Sequence, residues 1–111
     1  MSQASQISTQ GIHHVSINVK DVDAAIEFYV GVLNLELLTR PDLGFPGAWI
    51  QAGGQEIHLL GIDSGTPVKE QHFALAVDDA DEVHATLTLQ GLAPSDVREI
   101  PNVCRQFFTH D

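Results

Sequence analysis

The feature that most narrows the folds open to this chain is an internal repeat. A shift of 58 residues lays His14 on His72, Val19 on Val77, Asp21 on Asp79 and Asp23 on Asp81, four identities in the ten positions from 14 to 23. The same order of elements underlies both copies. In the first, Val15, Ile17 and Val19 alternate with His14, Ser16 and Asn18, the period of two that marks a half-buried strand. Lys20-Asp21 breaks that period. Val22, Ala25, Ile26, Tyr29, Val30 and Leu33 then recur at helical steps, with Asp21 or Asp23 placed to cap the helix. In the second copy, Phe73, Leu75 and Val77 alternate with His72, Ala74 and Ala76, which predicts a strand over Gln71–Asp79. A helix is predicted from Asp81 to Gln90, with Gly91 as its stop. A duplication of this kind predicts two similar half-sheets facing each other across a pseudo-twofold axis, with His14 and His72 at equivalent places on one cavity.

The remaining segments fill in the unit. Leu35 to Arg40 reads as a strand, and Pro41 to Gly47 as a loop with two prolines and two glycines. Ala48–Ala52 and Gln55–Leu60 read as a hairpin about Gly53-Gly54. In the return strand Ile57 and Leu59 share one face, and Glu56, His58 and Leu60 the other, so His58 is expected to face the side that His14 faces. His13, one residue out of phase, is expected to be an outward or interface residue, and His84 and His110 to be exposed. Val97–Ile100 and Val103–Thr109 read as strands parted by Pro101-Asn102. The fold class expected is α+β: tandem βαβββ repeats forming a cupped mixed sheet with helices on its outer face. The expected divisions are a flexible tail over 1–10 and a single domain over 11–111. Within that domain a first module covers 11–61, a linker 62–70 and a second module 71–111.

Composition excludes whole classes of partner. Five basic residues against fifteen acidic ones give a net charge of −10, so nucleic acid and anionic membrane are not expected partners. No apolar run approaches the roughly 20 residues that span a bilayer. Met1 to Thr9 is polar and lacks the charged-then-apolar order of a signal peptide. The single cysteine, Cys104, excludes an intramolecular disulfide framework and suits a reducing compartment. A cytoplasmic protein is expected. An open sheet face and free strand edges call for cover, which predicts a twofold-symmetric homodimer.

Four stretches together resemble a known superfamily: HVSINVKDVDAAIEFYVGVLNLE, IHLL, HFALAVDD and the closing FFTHD. In the first, the histidine, the aspartate and the Phe28-Tyr29 pair follow the opening pattern of the vicinal oxygen chelate superfamily. That superfamily holds glyoxalase I, extradiol dioxygenases, fosfomycin-modifying enzymes and bleomycin-resistance proteins. The chain departs from it at Asn34, where the family usually has glycine, and at Asp111, where members usually continue to a further strand with a metal-binding glutamate. The repeat likewise carries His58 to a position beyond Asp111, so the second module is expected to be C-terminally incomplete.

The resemblance implies a divalent metal ion, Zn, Ni, Fe, Mn or Co, with His14, His58 and His72 as candidate ligands. Glu56 shares the face of His58 and is an alternative donor. No catalytic acid or base is assigned. Strand parity makes Trp49, Gln51, Gln106 and Phe108 candidate substrate-contacting residues, with ordinary core or dimer interface the competing reading for Trp49 and Phe108. The implied function is a metal-dependent lyase or isomerase of the glyoxalase type, or a dioxygenase, acting on a small oxygen-rich substrate. The alternative is a metal-free protein that sequesters a small molecule, as bleomycin-resistance proteins do.

Overall fold

The structure is a computed structural model, and it describes residues 7–63, 65 and 71–111. Residues 1–6, most of the expected tail, and 64 and 66–70, most of the expected linker, lie outside the described residues. The α+β class expected from the sequence is what the structure shows: a curved mixed sheet with two helices. Strands β1 (His14–Asn18), β2 (Glu36–Leu38), β3 (Gly47–Ala52) and β4 (Gln55–Leu60) form one sheet in the order β1-β4-β3-β2. β1 runs parallel to β4, and the other two pairings are antiparallel. Gly53 takes φ +61° in the β3–β4 turn, the conformation that the expected two-residue hairpin needs.

Helix α1 (Val22–Ile26) begins at Asp21, whose Oδ1 accepts from the Ala24 amide at 3.0 Å. It continues as π-helix over Glu27–Val32, and the Leu33 amide donates to the Phe28 carbonyl at 2.9 Å, a five-residue step. The chain leaves this helix through Asn34 at φ 60°. Asparagine tolerates that left-handed conformation better than other side chains, so it serves where glycine is usual. The inner face of the sheet then meets the helix. Ile50, Ile57 and Leu59 are the largest fully buried side chains, packed with Ala48, Ala25 and Tyr29. Each such aliphatic burial is worth roughly 1.5–3 kcal/mol.

The second half repeats the first only in part. Helix α2 (Ala80–Leu89) is capped by Asp79, whose Oδ1 accepts from the Glu82 amide at 3.1 Å. That is the Asp21 cap moved by the repeat offset, while Asp81 pairs with Arg105. Strands β5 (Arg98–Ile100) and β6 (Cys104–Gln106) form a separate antiparallel pair. The strand expected to run through Thr109 stops at Gln106, and Phe108 instead pairs with Ser95 through Ser95 N to Phe108 O at 2.8 Å and Phe108 N to Ser95 Oγ at 2.7 Å.

Gln71–Asp79 does not form the expected strand: it belongs to no sheet, and Leu75 and Val77 stay 40% and 49% exposed. The alternation of apolar residues there fixes which side chains share a face, but a strand also needs a hydrogen-bonding edge, and neither sheet lends this segment one. Phe73 alone reaches the first module's core, its ring stacked 6.4 Å from Tyr29. No helix among the described residues is long and apolar enough to cross a membrane.

Candidate ligand-binding face

The face of the first sheet turned away from the helix is polar, and the pleat makes it so. With Ile57 and Leu59 of β4 buried against the helix, Glu56 and His58 must stand on the opposite side. Cross-strand register sets their neighbours: His14 and Gln51 lie beside Glu56, and Ser16 and Trp49 beside His58. The expectation that His14 and His58 share a side holds. Their rings stack at 3.9 Å between centroids, 14° from parallel. Trp49 stacks on the other side of His58 at 4.7 Å, giving a row of three flat groups, Trp49–His58–His14. Gln51 is held by the hairpin, its Nε2 donating to the carbonyls of Gly53 (2.6 Å) and Gln55 (3.2 Å).

One carboxylate organises this cluster. Glu56 Oε1 accepts from His58 Nε2 at 2.9 Å, and its Oε2 lies 4.0 Å from His13 Nε2. The hydrogen bond from His58 holds the Glu56 carboxyl below its usual range, and the nearby His13, His58 and His14 rings act in the same direction. His13 is exposed, as its phase implied, but it also touches the cluster. It precedes β1, where its carbonyl accepts from the Glu56 amide at 3.0 Å, and its Nδ1 sits 2.9 Å from His14 Nδ1. One of those two rings donates, so their tautomers are coupled. The signal for this was in the sequence as adjacent histidines, but strand alternation does not govern a residue just outside the strand.

The other candidates gather elsewhere. The His72 ring is edge-on to Phe108 at 5.9 Å, and Phe108 is 52% exposed. Gln106, at the end of β6, accepts from Cys104 Sγ at 3.7 Å. His84, expected to be exposed, is half-buried with its ring edge-on to Phe107 at 5.2 Å. So the structure brings together His14, His58, Trp49 and Gln51, adds His13 and Glu56, and does not group His72 with them. That follows from the course of residues 71–79: the segment that carries His72 does not line up beside β1, so the twofold juxtaposition is not made.

Two imidazoles and a carboxylate on one face are the donor types a divalent ion takes. A histidine whose Nε2–H is held by a carboxylate also has its Nδ1 lone pair fixed for ligation. The grouping is nevertheless incomplete. Among the described residues no three His, Cys, Asp or Glu side chains are arranged to hold an ion. Stacked rings also direct their nitrogens side by side instead of toward a common point. His14, His58 and Glu56 thus offer donor types that suit an ion without forming a metal site by themselves.

A half-sheet with one face buried on a helix and the other open and bearing histidines is an α+β module with the glyoxalase fold. The profile of the Glyoxalase/Bleomycin resistance protein/Dioxygenase superfamily matches residues 11–101, and the chain belongs to that superfamily. A glyoxalase family protein of Bacillus anthracis has a similar structure, with TM-score 0.85 and 29% identity over 96% of this chain and 90% of its own. The fold is also that of lactoylglutathione lyase from Agrobacterium tumefaciens, with TM-score 0.72 and 19% identity over 94% and 87% of the two chains. It is shared again by a variant of the fosfomycin resistance protein FosX of Listeria monocytogenes, solved with Mn(II) and a dihydroxypropylphosphonic acid. There the TM-score is 0.79 at 18% identity, over 94% of this chain and 85% of that one. Among curated proteins, Glyoxylase I 4 of Arabidopsis thaliana is 42% identical over 50 residues. That match spans 44% of this chain and only 29% of the plant protein.

Proposed function

We propose that this protein is a divalent-metal-dependent enzyme of the glyoxalase type, acting on a small oxygen-rich molecule bound at the open face of the first half-sheet. The observation that carries the reading is the pairing of His14 and His58 on that face, with Glu56 holding His58 in one tautomer. His14 and His58 are the ligands from the first half-sheet, and His72 completes the set when a second half-sheet is brought opposite the first. A homodimer supplies that arrangement and covers the exposed Leu75 and Val77. The ion would act as a Lewis acid on substrate oxygens. Trp49 gives a flat apolar wall beside the ligands, and Gln106 and Phe108 line the site from the second half. The single exposed cysteine suits a cytoplasmic setting.

A second reading has its own observation. The Trp49–His58–His14 stack is a ready platform for a planar ligand, which favours metal-free sequestration. One experiment separates the two. The protein is stripped with chelator, titrated with Ni(II), Mn(II) and Zn(II) by calorimetry, and assayed for metal content. The enzyme reading predicts one tight site per chain, lost in His14→Ala and His58→Ala. Absence of any such site in the folded protein, with binding of planar aromatic probes intact, selects sequestration.

A further inference from the structure

We propose that Arg40 and Lys20 form a second binding site, for a small oxyanion of the carboxylate or phosphate type, in a cavity at the strand ends that none of His13, His14, Glu56 and His58 lines. The cavity, of about 590 Å³, lies between the start of α1 and the strand ends, where Arg40, Gly47 and Gly61 meet Lys20. It holds two of the chain's five basic residues, in a protein of net charge −10.

Arg40 is the telling group. Its Nε and Nη2 are shut off from solvent and have no hydrogen-bond partner. Phe45 covers the flat face of the guanidinium, its ring centroid 4.9 Å from Cζ. The unpartnered atoms are the side-on pair of donors, the edge that suits two oxygens of one oxyanion. The same molecule shows this edge in use: Arg105 Nε and Nη2 donate to the two carboxylate oxygens of Asp81 at 3.0 and 2.9 Å. Arg40 has the identical edge and no such acid. Asp21 and Asp23 line the same cavity, but Asp21 Oδ1 is taken by the Ala24 amide and neither pairs with Arg40. Buried guanidinium donors without acceptors are costly, and an oxyanion entering the cavity would satisfy them as the side chain turns its edge inward. Gly47 leaves the space beside it, since a Cβ there would stand 2.9 Å from Nη2 and meet the Leu59 carbonyl. Lys20 adds a second positive charge on the open side. The two aspartates disfavour highly charged ligands, so a mono- or dianion is the expected class. The inference does not depend on the function proposed for the histidine face.

The test is a titration of the whole chain with inorganic phosphate, and separately with acetate, followed by nitrogen–proton correlation spectra. The chain has only three arginines, Arg40, Arg98 and Arg105, so the Arg40 Nε–H signal is readily assigned. A saturable shift of that signal and of the Gly47 and Gly61 amides is expected. Arg40→Gln should weaken binding by about tenfold or more, and Arg40→Lys nearly as much because it loses the two-pronged edge. Lys20→Gln, at an exposed position, should fold normally and weaken binding by about threefold. Saturation by acetate alone identifies a carboxylate ligand, and by phosphate alone a phosphate ligand. Shifts that never saturate with either, or equal binding by the wild type and Lys20→Gln, overturn the proposal.

Discussion

Tyr29→Phe isolates one interaction that ties the end of the chain to the core. The Tyr29 hydroxyl donates to Asp111 Oδ2 at 2.9 Å, while its ring is 3% exposed and packs on Phe28 and Phe73. Phenylalanine keeps the ring and leaves no orphaned donor. Hydrogen bonds are worth roughly 0.5–1.5 kcal/mol between neutral groups and roughly 1.5–3 kcal/mol to charged ones, and because Asp111 is exposed and regains water in the variant, a value where the two ranges meet applies, about 1–1.5 kcal/mol. At roughly 4–8 °C per kcal/mol for a domain of this size, the variant should melt about 5–10 °C lower. Asp111→Ala should reproduce most of that loss, and the double variant should add little more. The pH dependence gives a second readout. Burial, the Asp111 charge and the hydrogen bond together raise the Tyr29 phenol well above its ordinary value of 10.0. Tyr29 stays neutral in the fold while the unfolded chain ionises. The stability tied to it is therefore complete below pH 10.0 and lost as pH rises beyond. Tyr29 is the only tyrosine, so phenolate absorbance reports it alone. A folded protein whose tyrosine titrates at its ordinary value, with Tyr29→Phe melting unchanged, would refute this account of the contact.

Three further outcomes follow from the same geometry. Ile50→Ala, at a position with 0% exposure, should cost about 2–5 kcal/mol in denaturant unfolding, with the hairpin the first region to lose hydrogen-exchange protection. Asp21→Ala and Asp79→Ala remove equivalent helix caps and should each cost about 1 kcal/mol, additively, since the caps share no partner. Glu56→Gln should narrow the pH dependence of melting in the acid range. The lowered Glu56 carboxyl contributes its stability above the ordinary value of 4.5 and loses it as pH falls through the folded value. The gap between wild type and variant at neutral pH should thus close in acid, and a constant gap would show that Glu56 does not act through its charge.

What was readable in the sequence was local. Asp21 caps its helix, Gly53 turns the hairpin, and the alternation in β4 placed His58 beside His14. Each follows from a side chain's own chemistry or from the pleat. The strand over Gln71–Asp79 was not readable, because its pattern is that of a strand while its pairing depends on an edge supplied from elsewhere. The separation of His72 from His14 is the same lesson at the site. His13 is exposed as expected, yet it also reaches His14 and Glu56, because it lies one residue before the strand whose alternation sets the faces. The π-helical stretch Glu27–Val32 had no sequence signal, since its apolar spacing suits an α-helix equally well.

We propose that the histidine face of the first half-sheet holds a divalent ion for chemistry on a small molecule. A crystal structure grown with Mn(II) or Ni(II), with anomalous data at the metal edge, tests it most directly. One anomalous peak per chain is expected on that face, with imidazole nitrogens of His14 and His58 at about 2.0–2.2 Å and a His72 nitrogen completing the set from the facing half-sheet. A peak bound elsewhere, or none on that face with His14 and His58 still stacked, would contradict it.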